Sequence, residues 1–218
     1  MTVAVVRTVA TTTHGRYLVS EPAGRPRGLL VGFHGYAENA EIHLDALRAI
    51  PHTGQWLIVA VQALHPFYTR DERIVANWMT RQDRDLAIAD NLAYVQRVLD
   101  TVRDERVVHG PLVFAGFSQG GAMAYRAAAR LGADGMIILA ADVPPDVAAQ
   151  PDLKLPTVLI GRGTTDRWYT ADKHEADTAT LAGLGVTVEN CVFEGGHEWG
   201  DPFLRAAGAH LAEIARSR

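Results

Sequence analysis

Residues 116–121 read Gly-Phe-Ser-Gln-Gly-Gly, so Ser118 stands between glycines, after the apolar "PLVFA" and before the alanine-rich "AMAYRAAARL". A G-x-S-x-G spacing between a strand-like and a helix-like run is the pattern of an elbow that lifts a serine above a sheet. Neighbouring backbone passes such a turn too closely to leave room for a Cβ on either side. A serine there also lies in the field of a helix N-terminus, which favours an oxyanion nearby. A helix-capping serine is the plain alternative; the strand-to-helix setting favours a nucleophile. A hydroxyl is too weak an acid to attack a carbonyl unaided, so a base must stand beside it. His197 meets that need, sitting behind two glycines in "FEGGHEWGDP" after the last strand-like run. His14, His52 and His109 lie in turn-like segments, His210 within the last helical pattern, and His43, His65 and His174 away from any suitable strand end.

The third member of such a set is a carboxylate between serine and histidine in chain order. Asp166 follows the buried-looking run of "TVLIGRGTTDRWY" and is favoured by the glycines at its turn. Asp142, just after "MIILAA", is the rival one strand earlier, whereas Asp172 and Asp177 read as solvated positions of the next helix. A tetrahedral intermediate needs two backbone donors. The amide of Gln119, the residue after the nucleophile, is one. The loop in "VGFHGYAEN" offers the amide of Tyr36 as the second.

The elements that must position these residues can be read from apolar spacing. The runs at 29–33, 56–61, 111–116, 135–140 and 156–161 are continuously apolar, as in parallel strands buried on both faces, and a more polar run at 186–193 suits an edge. Residues 3–9 and 16–20, joined through "TTTHG", are expected to form an antiparallel pair. Ile88, Leu92, Val95, Leu99 and Val102 make one apolar helical stripe, preceded by Asp83 and Asp85. Leu204, Ala207, Leu211 and Ile214 make another, with Asp201 as the expected cap and Pro202 at the first helical position. Strands alternating with helices predict an α/β fold with a doubly wound, mostly parallel sheet. No repeat or linker divides the chain, so 1–218 is expected to be a single domain.

Composition narrows the function classes. The chain has 218 residues, 48% of them hydrophobic, and a net charge of −4, which gives no electrostatic footprint for nucleic acid. No apolar stretch reaches the length of a membrane span, no signal peptide is evident, and the single cysteine, Cys191, fits a reducing compartment; a cytoplasmic location is expected. No H-E-x-x-H and no Cys/His cluster occurs, so neither a metal nor a cofactor is expected. These patterns leave the oligomeric state, a homodimer included, open.

"FHGYAENAE", "GFSQGGAMAY", "GRGTTD" and "FEGGHE", in this order, resemble the phospholipase/carboxylesterase family of α/β-hydrolases, which includes acyl-protein thioesterases. "NWM" at 77–79 is similar to a short Trp-containing segment of that family. The resemblance implies a lidless serine esterase acting on a small ester, with Ser118, Asp166 and His197 as triad and Tyr36 and Gln119 as oxyanion donors. Ala37 departs from it, standing where glycine is expected. Only 141–155 separates two strands where a cap would enter, too little for a folded lid. The stretch 62–82 is expected to be irregular and, through Phe67, Tyr68 and Trp78 together with Trp168 and Trp199, to wall an open groove for short to medium acyl chains. A non-catalytic binding protein on this scaffold, and a small serine peptidase, are the other readings.

Overall fold

The structure is a computed structural model that describes residues 3–150 and 152–217. Its strands are β1 (Tyr17–Ser20), β2 (Leu29–Phe33), β3 (Leu57–Val61), β4 (His65–Tyr68), β5 (Ile74–Asn77), β6 (Leu112–Phe117), β7 (Gly135–Leu139), β8 (Val158–Gly163) and β9 (Val188–Phe193). The helices are α1 (Ala40–Ala49), α2 (Arg84–Glu105), α3 (Gln119–Leu131), α4 (Pro145–Ala148), α5 (Ala171–Gly183) and α6 (Asp201–Arg216).

Seven strands form one sheet in the order β1-β3-β2-β6-β7-β8-β9, parallel except where β1 meets β3. Successive side chains of a strand face opposite ways, and here both faces are apolar. Val31, Phe33, Val59, Phe114, Ile138 and Ile160 pack under α2, α3 and α5. Leu30, Ile58, Val113, Ala115, Ile137 and Leu159 pack under α1 and α6. This two-sided burial is why the strands read as unbroken apolar runs.

Three expectations are corrected. Residues 3–9 form no strand; Val3, Val5, Val6 and Val9 are exposed, and β1 pairs antiparallel with β3, setting Tyr17 opposite Val61. The stretch 62–82 is not irregular, because it holds the hairpin β4–β5. At the start of α6, Gly200 is the cap and Asp201 falls in the first turn.

The sheet order sets the place of a site. From β2 the chain moves to β3 on one side, and from β6 it moves to β7 on the other. The loops leaving β2 and β6 therefore diverge at neighbouring strand ends, where Phe33 is level with Gly116. Open α/β sheets bind ligands in such a crevice at the carboxyl ends of the strands.

Candidate active site

Ser118 leaves β6 with φ 52° and ψ −122°, a conformation few non-glycine residues adopt. It persists because the surroundings hold it: the Ser118 N–H donates to the Leu139 carbonyl at 2.9 Å, and its own carbonyl accepts from Gly121 N–H at 3.0 Å. A Cβ on Gly120 would lie 2.0 Å from the Phe33 carbonyl oxygen, so only glycine lets α3 start this close to β2. Gln119 opens α3, where the first amides have no intrahelical acceptor. Its side chain is clamped at both ends, the Trp78 N–H donating to Oε1 at 2.8 Å and Nε2 donating to the Met79 carbonyl at 2.9 Å.

The candidate acid and base ride on the loops after β8 and β9. His197 Nδ1 lies 2.7 Å from Asp166 Oδ2. The Asp166 side chain is fully buried, and its Oδ1 accepts the N–H groups of Trp168 at 2.8 Å and Tyr169 at 2.9 Å, which leaves Oδ2 free for the imidazole. The two loops are fastened together: Thr165 donates to the Gly195 carbonyl through N–H and Oγ1, at 2.9 and 2.7 Å. Gly163 makes the approach possible, since a Cβ there would stand 2.3 Å from the carbonyl oxygens of Gly195 and Gly196. Asp142, the rival acid, is half exposed and binds Lys173 at 3.1 Å. Asp177, expected to be solvated, is buried and accepts the Tyr169 hydroxyl at 2.9 Å.

The loop after β2 is set by residues the sequence did not single out. His34 is fully buried; its Nε2 accepts Ala63 N–H at 3.1 Å, so the ring proton is on Nδ1, which donates to the Gly35 carbonyl at 2.7 Å. Burial lowers the His34 pKa to about 4, keeping the ring neutral. The Gly35 carbonyl also accepts Glu38 N–H at 3.3 Å. The Gly35–Tyr36 peptide is trans, so with its carbonyl held against His34 its N–H faces the opposite way. Gly35 N–H donates to the Glu38 carboxylate at 2.7 Å. Burial pushes the Glu38 carboxyl above the usual carboxylate range, while that bond and nearby His197 pull it back. Ala37 adopts φ 60°, the conformation that the expected glycine would take freely. The hairpin props this loop: Ala37 N–H donates to the Ala76 carbonyl at 3.2 Å, and Ala76 N–H to the Glu38 carbonyl at 2.8 Å.

Ser118 and His197 line one cleft of about 470 Å³. Of the aromatics expected there, only Trp168 lines it, and it is exposed. Trp78 is fully buried: its Nε1 donates to the His34 carbonyl at 2.8 Å and its ring meets Phe33 edge-on at 5.5 Å, so it supports the loop instead of walling a groove. Trp199 packs against Phe203 at 5.7 Å and Phe117 at 6.1 Å. Phe67 and Tyr68 sit on β4, outside the cleft, with Phe67 stacked near Tyr36 at 5.7 Å. The wall they were expected to form is instead Met79, Thr80, Arg81 and Arg84, with Arg126 of α3 beneath.

The thioesterase-domain family matches residues 61–145, a segment that holds Ser118 and Gln119 but ends before Asp166 and His197. No curated protein matches the chain. Among solved structures, the Mesorhizobium loti carboxylesterase superposes with a TM-score of 0.75 at 20% identity, covering 91% of this chain and 94% of its own. The Dyadobacter fermentans phospholipase/carboxylesterase gives 0.70 at 20% identity, covering 94% of this chain and 100% of its own. The chain has the α/β-hydrolase fold. Esterase PE8 is similar along almost the same span, with a TM-score of 0.71, 23% identity, and coverage of 92% of this chain and 98% of its own. At the level of fold, the resemblance to the phospholipase/carboxylesterase family is borne out. No helix among the described residues is long and apolar enough to cross a membrane.

Proposed function

We propose that this protein is a serine hydrolase of carboxylic esters, thioesters included, working through an acyl-enzyme on Ser118. The observation that carries the reading is the Asp166–His197 pair, 2.7 Å apart, opening on the cleft that holds the strained Ser118. With Oδ2 accepting the Nδ1 proton, the lone pair of His197 is on Nε2, the nitrogen that must take the serine proton. Ser118 Oγ attacks the carbonyl carbon as His197 removes that proton. The oxyanion that forms accepts the amides of Gln119 and Tyr36, both fixed in advance by the contacts described above. Collapse expels the alkoxide or thiolate, which takes the proton back from His197. Water, deprotonated by the same imidazole, then releases the acid and restores Ser118.

Short to medium acyl chains fit a cleft of about 470 Å³; among the described residues of 141–155 the only helix is the single turn of α4, too short to make a lid. A binding protein on the same scaffold has no use for the strain at Ser118 or for a buried carboxylate fixing one histidine tautomer. The test is labelling by a neutral fluorophosphonate together with hydrolysis of p-nitrophenyl butyrate, in the wild type and in Ser118→Ala. Loss of a triad nucleophile costs on the order of 10⁶ in kcat. A Ser118→Ala protein that still labels or turns over defeats the proposal.

A further inference from the structure

The cleft beside Ser118 gathers cations in a chain whose net charge is −4. Arg81, Arg84, Arg126 and Lys173 all line it, together with one carboxylate, Asp142. Two of these cations are already neutralised. Arg126 is buried, and its NH2 and Nε donate to the two oxygens of Asp146 at 2.6 and 2.8 Å; Lys173 pairs with Asp142 at 3.1 Å. Arg81 and Arg84 make no hydrogen bond or ion pair among the described residues; Arg84 reaches Asp146 only through its field. Arg84 also occupies the first turn of α2, where the helix dipole disfavours a cation. Two guanidinium groups without a hydrogen-bonded partner therefore line the cleft that holds Ser118, on the stretch 78–84 whose other end clamps Gln119.

A guanidinium offers a rigid fork of donors matched to the two oxygens of an oxyanion group. We infer that the ester taken by this site carries a second, anionic group, which Arg81 and Arg84 hold while Ser118 attacks the ester carbonyl. The inference rests on the esterase reading and adds the substrate's charge to it. The anion sits on the acyl part or on the leaving group, and the two placements are separable by experiment. The chain as a whole, at a net charge of −4, repels such a substrate, so the cationic lip also selects the face on which it lands.

The test compares kcat/KM for matched esters at low ionic strength. In the acyl arm, p-nitrophenyl hydrogen glutarate is set against p-nitrophenyl pentanoate. In the leaving-group arm, p-(carboxymethyl)phenyl butyrate is set against phenyl butyrate. The wild type is expected to prefer the anionic member of one arm by about tenfold, in keeping with exposed charge pairs. That ratio should fall towards one in the double variant Arg81→Gln/Arg84→Gln. It should invert in Arg81→Glu/Arg84→Glu, and it should shrink as salt exceeds roughly 0.1 M, where the screening length is about 10 Å. A ratio near one in both arms of the wild type overturns the inference, as does a preference that survives in the double variant. If neutral esters are hydrolysed through Ser118 without any preference for an anion, the esterase reading stands and this inference alone fails. Hydrolysis of no ester at all overturns both.

Discussion

Replacing Asp166 by asparagine perturbs one proton, and its consequence can be worked from the bonds around that side chain. Oδ1 accepts two backbone N–H groups, from Trp168 and Tyr169, and Oδ2 faces His197 Nδ1. An asparagine keeps its oxygen on the two amides. The flipped orientation sets an NH2 against two donors and forfeits two hydrogen bonds, each worth about 1 kcal/mol. The NH2 then points at Nδ1, which must accept, so the histidine proton moves to Nε2 and faces Ser118. A bias of roughly 2–3 kcal/mol leaves about one molecule in a hundred with the productive tautomer, or two powers of ten in rate. Loss of the carboxylate that stabilises the imidazolium adds the rest, towards the 10⁴ seen for the equivalent change in a serine protease, about 5.5 kcal/mol. Asp142→Asn breaks only a half-exposed pair with Lys173 and should change kcat less than about threefold. The assay is kcat on saturating p-nitrophenyl butyrate for both variants, with thermal scans to confirm equal folding. A loss below about tenfold in Asp166→Asn, or an equal loss in Asp142→Asn, refutes the argument.

Three further outcomes are expected. Gly120→Ala places a Cβ 2.0 Å from the Phe33 carbonyl oxygen; forcing α3 away from β2 should cost about 3 kcal/mol, a fall in Tm of roughly 9 °C, and a drop in kcat larger than in KM. Trp78→Ala empties a fully buried site and orphans the His34 carbonyl, so calorimetry should show a Tm lowered by roughly 10 °C, whereas Trp168→Ala, at an exposed position, leaves Tm within about 1 °C. Asp146 is held below its ordinary pKa chiefly by its hydrogen bond to Arg126. Its contribution is therefore present above the unfolded-state value near 4 and is lost as pH falls through the lower folded-state value. Asp146→Asn should lower Tm at neutral pH, with the difference from wild type closing as pH falls through the lowered folded-state pKa of Asp146; a difference that stays constant across the acid range refutes the pairing.

The parts legible in the sequence are those specified by local pattern. The unbroken apolar runs became β2, β3, β6, β7 and β8 because both faces of each are buried, and the setting of Ser118 needed only its immediate neighbours. The valines at 3–9 failed because strand propensity is realised only against a partner edge, and β3 gave its free edge to β1. The hairpin inside 62–82 was hidden because its strands are four residues each, one of them containing Pro66, too short to show alternation. Trp78 was expected to wall a groove; what buries it is distant in sequence, the rings of Phe33 and His34 and the Asn91 amide donating to its carbonyl at 2.9 Å. The cationic lip was missed for a related reason, since Arg81 and Arg84 stand 37 and 34 residues before Ser118 in the chain, with no local spacing to link them to it. A hydrogen bond from His34 to its own neighbour's carbonyl leaves no spacing signal at all.

On the proposed mechanism, the placement of β9 governs when the molecule becomes reactive. Ser118 is seated by β2, β6 and β7, all complete by residue 139, while His197 arrives only when β9 docks beside β8 as the terminal strand of the sheet. On the proposed mechanism, a chain emerging from the ribosome thus carries the proposed nucleophile for a further 79 residues, 197 minus 118, without the proposed base that would arm it. On that mechanism Ser118 is until then an ordinary alcohol. Reaction with a fluorophosphonate during refolding accordingly serves as a clock for closure of the last strand, and it should lag behind the burial of the central sheet.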